Sequence, residues 1–281
     1  MRPGPICVLS LVITSSLSFG AAPGTPGGLP PDADNAKAAL DKSPRHGEWV
    51  DIAVPDKKVP LKAYIVYPER SDKAPVVLVI HEIFGETDWV RGVADQLAAD
   101  GFIAIAPDML SGHGPNGGGS DSLGGQQNVM AKIREVRAPE VMADLNATRD
   151  YALKLPAASG KIAVIGFCWG GGNSFAYAVA QPGLSAAVVY YGVPPKNDDM
   201  AKIKAPVAGF YGGDDARITA TVKPTQATMG SLKKTYEPHV YEGAGHGFLR
   251  AQNDPNRGVA NMKASEQAWP ATIQFLRDHT Q

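Results

Sequence analysis

Hydrophobic positions along this chain fall into short runs separated by stretches of Gly, Pro, Asp and Asn, and the spacing within each run predicts its element. Val76–Ile80 is unbroken and apolar, and Phe102–Ala106 and Ile162–Ile165 repeat the pattern. Short apolar runs between turn signals are what strands buried on both faces of a parallel sheet require. Ala186–Tyr191, Val207–Tyr211 and Thr235–Tyr241 read as further strands. Helical spacing appears between them, at Trp89–Ala99, Pro224–Leu232 and Val259–His279. It also covers Ala138–Lys154, where Pro139 suits the first turn and Met142, Leu145 and Tyr151 share an apolar side. Earlier, Trp49–Val54 and Leu61–Tyr67 flank the turn-like segment 55–60, which predicts an antiparallel pair at a sheet edge. Strand and helix then alternate, so the expectation is an α/β fold with a mostly parallel central sheet and helices on both faces. Residues Ser111–Gly125 are too rich in Gly, Ser and Asn for a core element; they are expected as a long loop at the C-terminal edge of the sheet, where loops commonly wall a site.

Composition narrows this picture. With 281 residues, 44% of them hydrophobic, the chain can bury one sizeable core, which suits a single α/β domain over residues 46–281. The 27 basic and 28 acidic residues nearly cancel, leaving no basic footprint for nucleic acid. At the N-terminus, Arg2 precedes the apolar stretch Ile6–Phe19 and then Gly20-Ala21-Ala22, the layout of a secretory signal peptide over residues 1–20. That stretch is short for a membrane span, so the expected product is exported, periplasmic or secreted, with no membrane attachment after cleavage. Residues 21–45, rich in Pro, Gly, Asp and Ala with a weak helical patch at 35–41, read as a linker and short lead-in. Cleavage would leave Cys168 as the sole cysteine, unable to form an internal disulfide.

That cysteine sits where chemistry is expected. The strand Ile162–Ile165 runs into Gly166-Phe-Cys-Trp-Gly-Gly, which fits G-x-nucleophile-x-G, a tight strand-to-helix turn that lifts the middle side chain above the sheet. Cys168 would then begin a helix, where the dipole favours a thiolate and the Trp169 amide is free to bind an oxyanion. Two other readings compete: an inert core cysteine, and a dinucleotide loop spelled by Gly166, Gly170 and Gly172. The second expects its loop at the first strand of the domain, whereas this one follows several strand candidates, and no Tyr has a Lys four residues on.

A nucleophile in such a fold requires an acid and then a histidine later in the chain. The run Val207–Tyr211 ends in Gly212-Gly-Asp-Asp, where Asp214 and Asp215 compete for the acid; Asp215 is preferred because it lies three residues after Gly212 and three before Ile218. Beyond the last strand, Gly245-His246-Gly247 places an imidazole on a glycine-flanked loop, a poor place for core packing and a good one for a general base. The segment His81-Glu-Ile-Phe-Gly85 fails the H-E-x-x-H zinc pattern at its fifth residue, so no metal is implied.

Taken together, Val79-Ile-His-Glu-Ile-Phe-Gly, the cysteine elbow, the Gly-Gly-Asp-Asp loop and Gly245-His-Gly-Phe-Leu-Arg resemble the dienelactone hydrolase family of α/β-hydrolases, carboxymethylenebutenolidase-like enzymes, over roughly Trp49 to His279. The resemblance implies that Cys168 attacks, His246 is the base and Asp215 its acid. It implies that the Glu82 carboxylate sits beside the resting thiol and keeps it neutral, and that the amides of Ile83 and Trp169 form the oxyanion hole. It also gives Arg250 the substrate carboxylate. For the family's second arginine, Arg134 and Arg137 are only nearby candidates, because the Gly-rich wording before them departs from the family. The expected activity is hydrolysis of a small ester or lactone through an acyl-cysteine, without metal or organic cofactor. Alternatives are a broad esterase or peptidase using the same site, and a catalytically silent exported scaffold that binds a ligand or partner.

Overall fold

The computed structural model describes residues 24–281; the expected signal peptide lies outside them. Strands Gly47–Ile52 (β1), Leu61–Val66 (β2), Ala74–Ile80 (β3), Ile103–Pro107 (β4), Ala158–Phe167 (β5), Ala186–Tyr190 (β6), Val207–Gly212 (β7) and Tyr236–Tyr241 (β8) form one sheet. Their order is β1-β2-β4-β3-β5-β6-β7-β8. The first two pairings, β1 with β2 and β2 with β4, are antiparallel and the rest are parallel, as the edge hairpin and the following alternation predict.

The unbroken apolar runs are explained by what covers them. In β3, Val76, Leu78 and Ile80 join one core layer while Val77 and Val79 join the other. The first layer is closed by Ala138–Ala152 (α4), Trp169–Ala180 (α5) and Val222–Ser231 (α8), through residues such as Leu145, Phe175 and Met229. The second is closed by Asp88–Ala99 (α2) and Gly258–Thr280 (α9), through Val93, Leu97, Ala268 and Trp269. Each fully buried aliphatic side chain contributes about 1.5–3 kcal/mol, so a strand loaded on both faces anchors the whole sheet.

Several segments refine or depart from the sequence expectation. Residues 24–45 hold the short helix Ala36–Leu40 (α1) where the helical patch at 35–41 is expected, but they are packed down more than a linker would be: Ala36 is fully buried, and Arg45 forms an ion pair with Asp95 of α2 in which both side chains are nearly buried. Proline and glycine there mark an irregular path along a surface and do not mark looseness. The Gly-rich segment 111–125 is an ordered loop: the buried Asp108 carboxylate accepts from the Leu110 amide and from both the amide and the hydroxyl of Ser120. Its end leads into an unforeseen helix, Gln126–Ile133 (α3), which buries only Val129 and Ile133 and so left too short an apolar pattern to read. Two further short helices, Asn197–Met200 (α6) and Ala216–Thr219 (α7), escaped notice for the same reason.

The turn after β5 depends on backbone crowding. A Cβ on Gly170 would lie 2.3 Å from the carbonyl oxygen of Ile80 and 2.4 Å from that of His81, and one on Gly166 would lie 2.0 Å from the Gly170 carbonyl oxygen. These are backbone obstacles that cannot rotate away. Gly170→Ala is therefore expected to cost at least about 3 kcal/mol, seen as a fall of about 6 °C or more in the thermal midpoint or as loss of folded protein. Gly230→Ala in α8, where a Cβ would meet nothing within 4 Å, is expected to be neutral or stabilising in the same calorimetric measurement.

Candidate active site

Every element that contributes to the site does so from the C-terminal edge of the sheet. Strand β5 ends at Phe167 and α5 begins at Trp169, so Cys168 alone makes the turn, with φ 55° and ψ −112°. Its amide donates to the Tyr190 carbonyl of the neighbouring strand at 3.0 Å, and its carbonyl accepts from the Gly172 amide at 3.1 Å. The side chain is left half-buried above the sheet.

Strand β3 delivers the second group. His81 is buried and its tautomer is fixed by its surroundings: the Met109 amide donates to Nε2 at 3.2 Å, so Nδ1 carries the proton and donates to the Glu82 carbonyl at 2.7 Å. Burial lowers its pKa and keeps the ring neutral. The ring also stacks on Trp169, with centroids 5.5 Å apart. Sequence reasoning set His81 aside, yet it braces both Glu82-Ile83 and Trp169. Nothing in a linear string shows a stacking partner 88 positions later, at the start of α5.

Glu82 is buried with its Oε2 2.7 Å from Nε of Arg250. The contact is a close charge pair with poor aim, since neither atom has a well-directed hydrogen bond. Burial pushes the carboxyl up to about 7, against the pull of the Arg250 charge. The Arg250 guanidinium also lies over the Phe84 ring, 4.8 Å from its centroid. Burial pushes the Cys168 thiol up to about 11, the negative charge of Glu82 adds to that, and the amides of Trp169 and Ile83 pull the other way. The positive charge of Arg217 on α7 favours the thiolate as well.

The last strands bring in the remaining pair. His246 Nδ1 lies 2.5 Å from Asp215 Oδ2, whereas Asp214 turns outward towards Arg257 at 3.4 Å. The two aspartates, inseparable by composition, are sorted by the turn after β7. Among the described residues no hydrogen bond joins the His246 ring to the Cys168 sulfur. Instead the ring packs against Tyr191, centroids 5.1 Å apart. Tyr191 is fully buried at φ 39°, its hydroxyl has no partner, and burial together with the charge of Glu82 raises its pKa well above the ordinary value.

Two supports were invisible in the sequence. Asn261 of α9 accepts from the Gly245 amide at 3.0 Å and donates to the Ala251 carbonyl at 2.7 Å, so one buried amide clamps both ends of the loop carrying His246 and Arg250. Asp108, described above, does the same for the Gly-rich loop. Arg134 and Arg137 are exposed at the α3–α4 junction, and the structure pairs neither with Glu82 or Arg250.

Comparison with known proteins bears on the family and the fold. The model of the dienelactone hydrolase family matches residues 61–280. A carboxymethylenebutenolidase from a Pseudomonas species is 34% identical over 220 residues, covering 76% of this chain and 89% of that relative. A solved dienelactone hydrolase-like promiscuous phosphotriesterase from metagenomic libraries is 24% identical with a TM-score of 0.69, covering 84% of this chain and 99% of the other. The dienelactone hydrolase of Anabaena variabilis is 19% identical with a TM-score of 0.63, covering 84% and 99%. At those identities the two structures speak for the fold alone. From fold, match and sequence likeness together, the chain belongs to the dienelactone hydrolase family of α/β-hydrolases and is a carboxymethylenebutenolidase-like hydrolase.

Proposed function

We propose that the protein hydrolyses a small ester or lactone that carries a carboxylate, with Cys168 as nucleophile and His246, oriented by Asp215, as proton carrier. One observation supports this reading: the residue at the sharp β5–α5 turn is a cysteine, and the loops after β7 and β8, at the same edge of the sheet, pair Asp215 with His246 at 2.5 Å. In this reading the resting thiol gives way to the substrate's carbonyl oxygen at the amides of Ile83 and Trp169. A substrate whose carbonyl oxygen accepts from the Ile83 and Trp169 amides displaces the sulfur towards the imidazole.

The reaction then balances in two halves. Sγ gives its proton to His246 and bonds the carbonyl carbon; the carbon–oxygen single bond breaks, and the leaving oxygen takes the proton back from His246. A water then loses a proton to His246 and attacks the thioester, the carbon–sulfur bond breaks, and the thiol is restored. Arg250 supplies the site for the substrate carboxylate, because a guanidinium offers two parallel donors to a carboxylate, while its present contact with Glu82 is badly aimed. Glu82 is the guard of the resting thiol: its charge adds to the burial that holds Cys168 near 11, so little thiolate exists to be oxidised.

Cys168→Ala is expected to lower turnover of an activated ester by about a thousandfold or more, and intact mass spectrometry of the parental enzyme mixed with a slow ester should show an acyl adduct on Cys168. Parental turnover by the alanine variant would sink the proposal. Glu82→Gln tests the guard. Above pH 7 the parental Glu82 is charged and opposes thiolate formation; below pH 7 it is protonated and the opposition fades. The glutamine variant should therefore titrate its thiol below about 11 and react faster with iodoacetamide at pH 8, a tenfold gain for each unit, about 1.4 kcal/mol. The gain should shrink below pH 6.

A further inference from the structure

We propose that the N-terminal segment 30–33 fixes the position of Arg250 and so sets the enzyme's preference for substrates bearing a carboxylate, with Asp32 as the positioning residue. The inference rests on the reading of Arg250 as the receiver of that carboxylate. It concerns residues outside the stretch 61–280 that the family model matches.

Three hydrogen bonds tie this segment to the Arg250 loop. The Ala33 amide donates to the carbonyl of Arg250 itself at 3.0 Å. The Asn253 amide donates to Asp32 Oδ2 at 3.0 Å, and Gln252 Nε2 donates to the Pro30 carbonyl at 3.0 Å. Asp32 is only 6% exposed, and its other oxygen accepts from the Asp34 amide at 3.0 Å, so its carboxylate is held at both ends. The segment is itself fastened to α2. Pro31 packs so close to Gly92 that a Cβ there would lie 2.6 Å from its ring. Further out, the Gly27 amide donates to Asp100 and Arg45 pairs with Asp95. Arg250 is thus suspended between α9, which grips Ala251 through Asn261, and a strap that reaches back to α2.

The side chain at stake is one with a choice to make. Its guanidinium faces Glu82 at rest and an incoming carboxylate during turnover, and it is 30% exposed along the ring of Phe84. A paired guanidinium–carboxylate contact is demanding of geometry, so a backbone shift of a fraction of an ångström weakens it selectively. A neutral substrate, which does not call on Arg250, is spared that loss.

The test uses the full chain and two substrates alike except that one carries a carboxylate and the other the corresponding carboxamide. Asp32→Ala is expected to lower kcat/KM for the anionic substrate about tenfold, chiefly through KM, and to lower the neutral one far less. Asp32→Asn, which keeps an acceptor oxygen for the Asn253 amide, should restore most of the ratio. Arg250→Met is run beside them and should collapse the ratio outright. If Arg250→Met leaves the ratio intact, the reading of Arg250 itself is wrong. If it collapses the ratio while Asp32→Ala lowers both substrates equally, or neither, the strap is merely structural and the inference is overturned. Should Asp32→Ala fail to fold, Gln252→Ala cuts a neighbouring tie, and a fall in both substrates alike overturns the inference in the same way.

Discussion

The turn at Cys168, where a residue with a side chain is held at positive φ, organises this molecule. Cys168 at φ 55° occupies a backbone region that costs about 1–3 kcal/mol for a residue with a side chain, and the sheet on either side enforces it. Its amide is committed to β6 through Tyr190, and the helix that follows is pressed against the end of β3 so tightly that Gly170 has no room for a methyl group. Lifting the sulfur off the sheet and freeing the Trp169 amide are two results of that one turn. The strain is offset by the buried strands on both sides, whose apolar faces leave the turn nowhere else to go.

The electrostatics follow from where that turn puts the thiol. Three ionisable side chains, Glu82, Cys168 and Tyr191, feel one another's charge, and burial favours the neutral form of each. Arg250 supplies nearby positive charge, and it is imperfectly directed at Glu82.

Holding such a site together falls to residues that take no part in chemistry. His81 is neutral because it is buried, and it is useful because both nitrogens are spoken for while its face rests on Trp169. Asn261 and Asp108 each close a loop by satisfying several backbone groups with one side chain, which fixes more dihedral angles than a packing contact does. Loops rich in glycine are costly to order, and here each one that borders the site has a buried polar residue assigned to it.

The sequence by itself determined the layering, because a run such as Val76–Ile80 has no polar face to show water and must be covered twice. It also pointed to the elbow, because glycines at 166 and 170 flank a lone thiol after several strand candidates, too late in the chain for a dinucleotide loop, and it marked His246 by the glycines around it. Tertiary structure alone decided the rest. Spacing favours Asp215 over Asp214, but the contact itself, Asp215 on the imidazole and Asp214 towards Arg257, exists only in the folded turn after β7. The partnership of Glu82 with Arg250, 168 positions later in the chain, and the grip of residues 30–33 on that same arginine are long-range contacts. Hydrophobic periodicity is a local property that each strand carries alone, whereas a polar contact across the sheet edge exists only once every strand is in register.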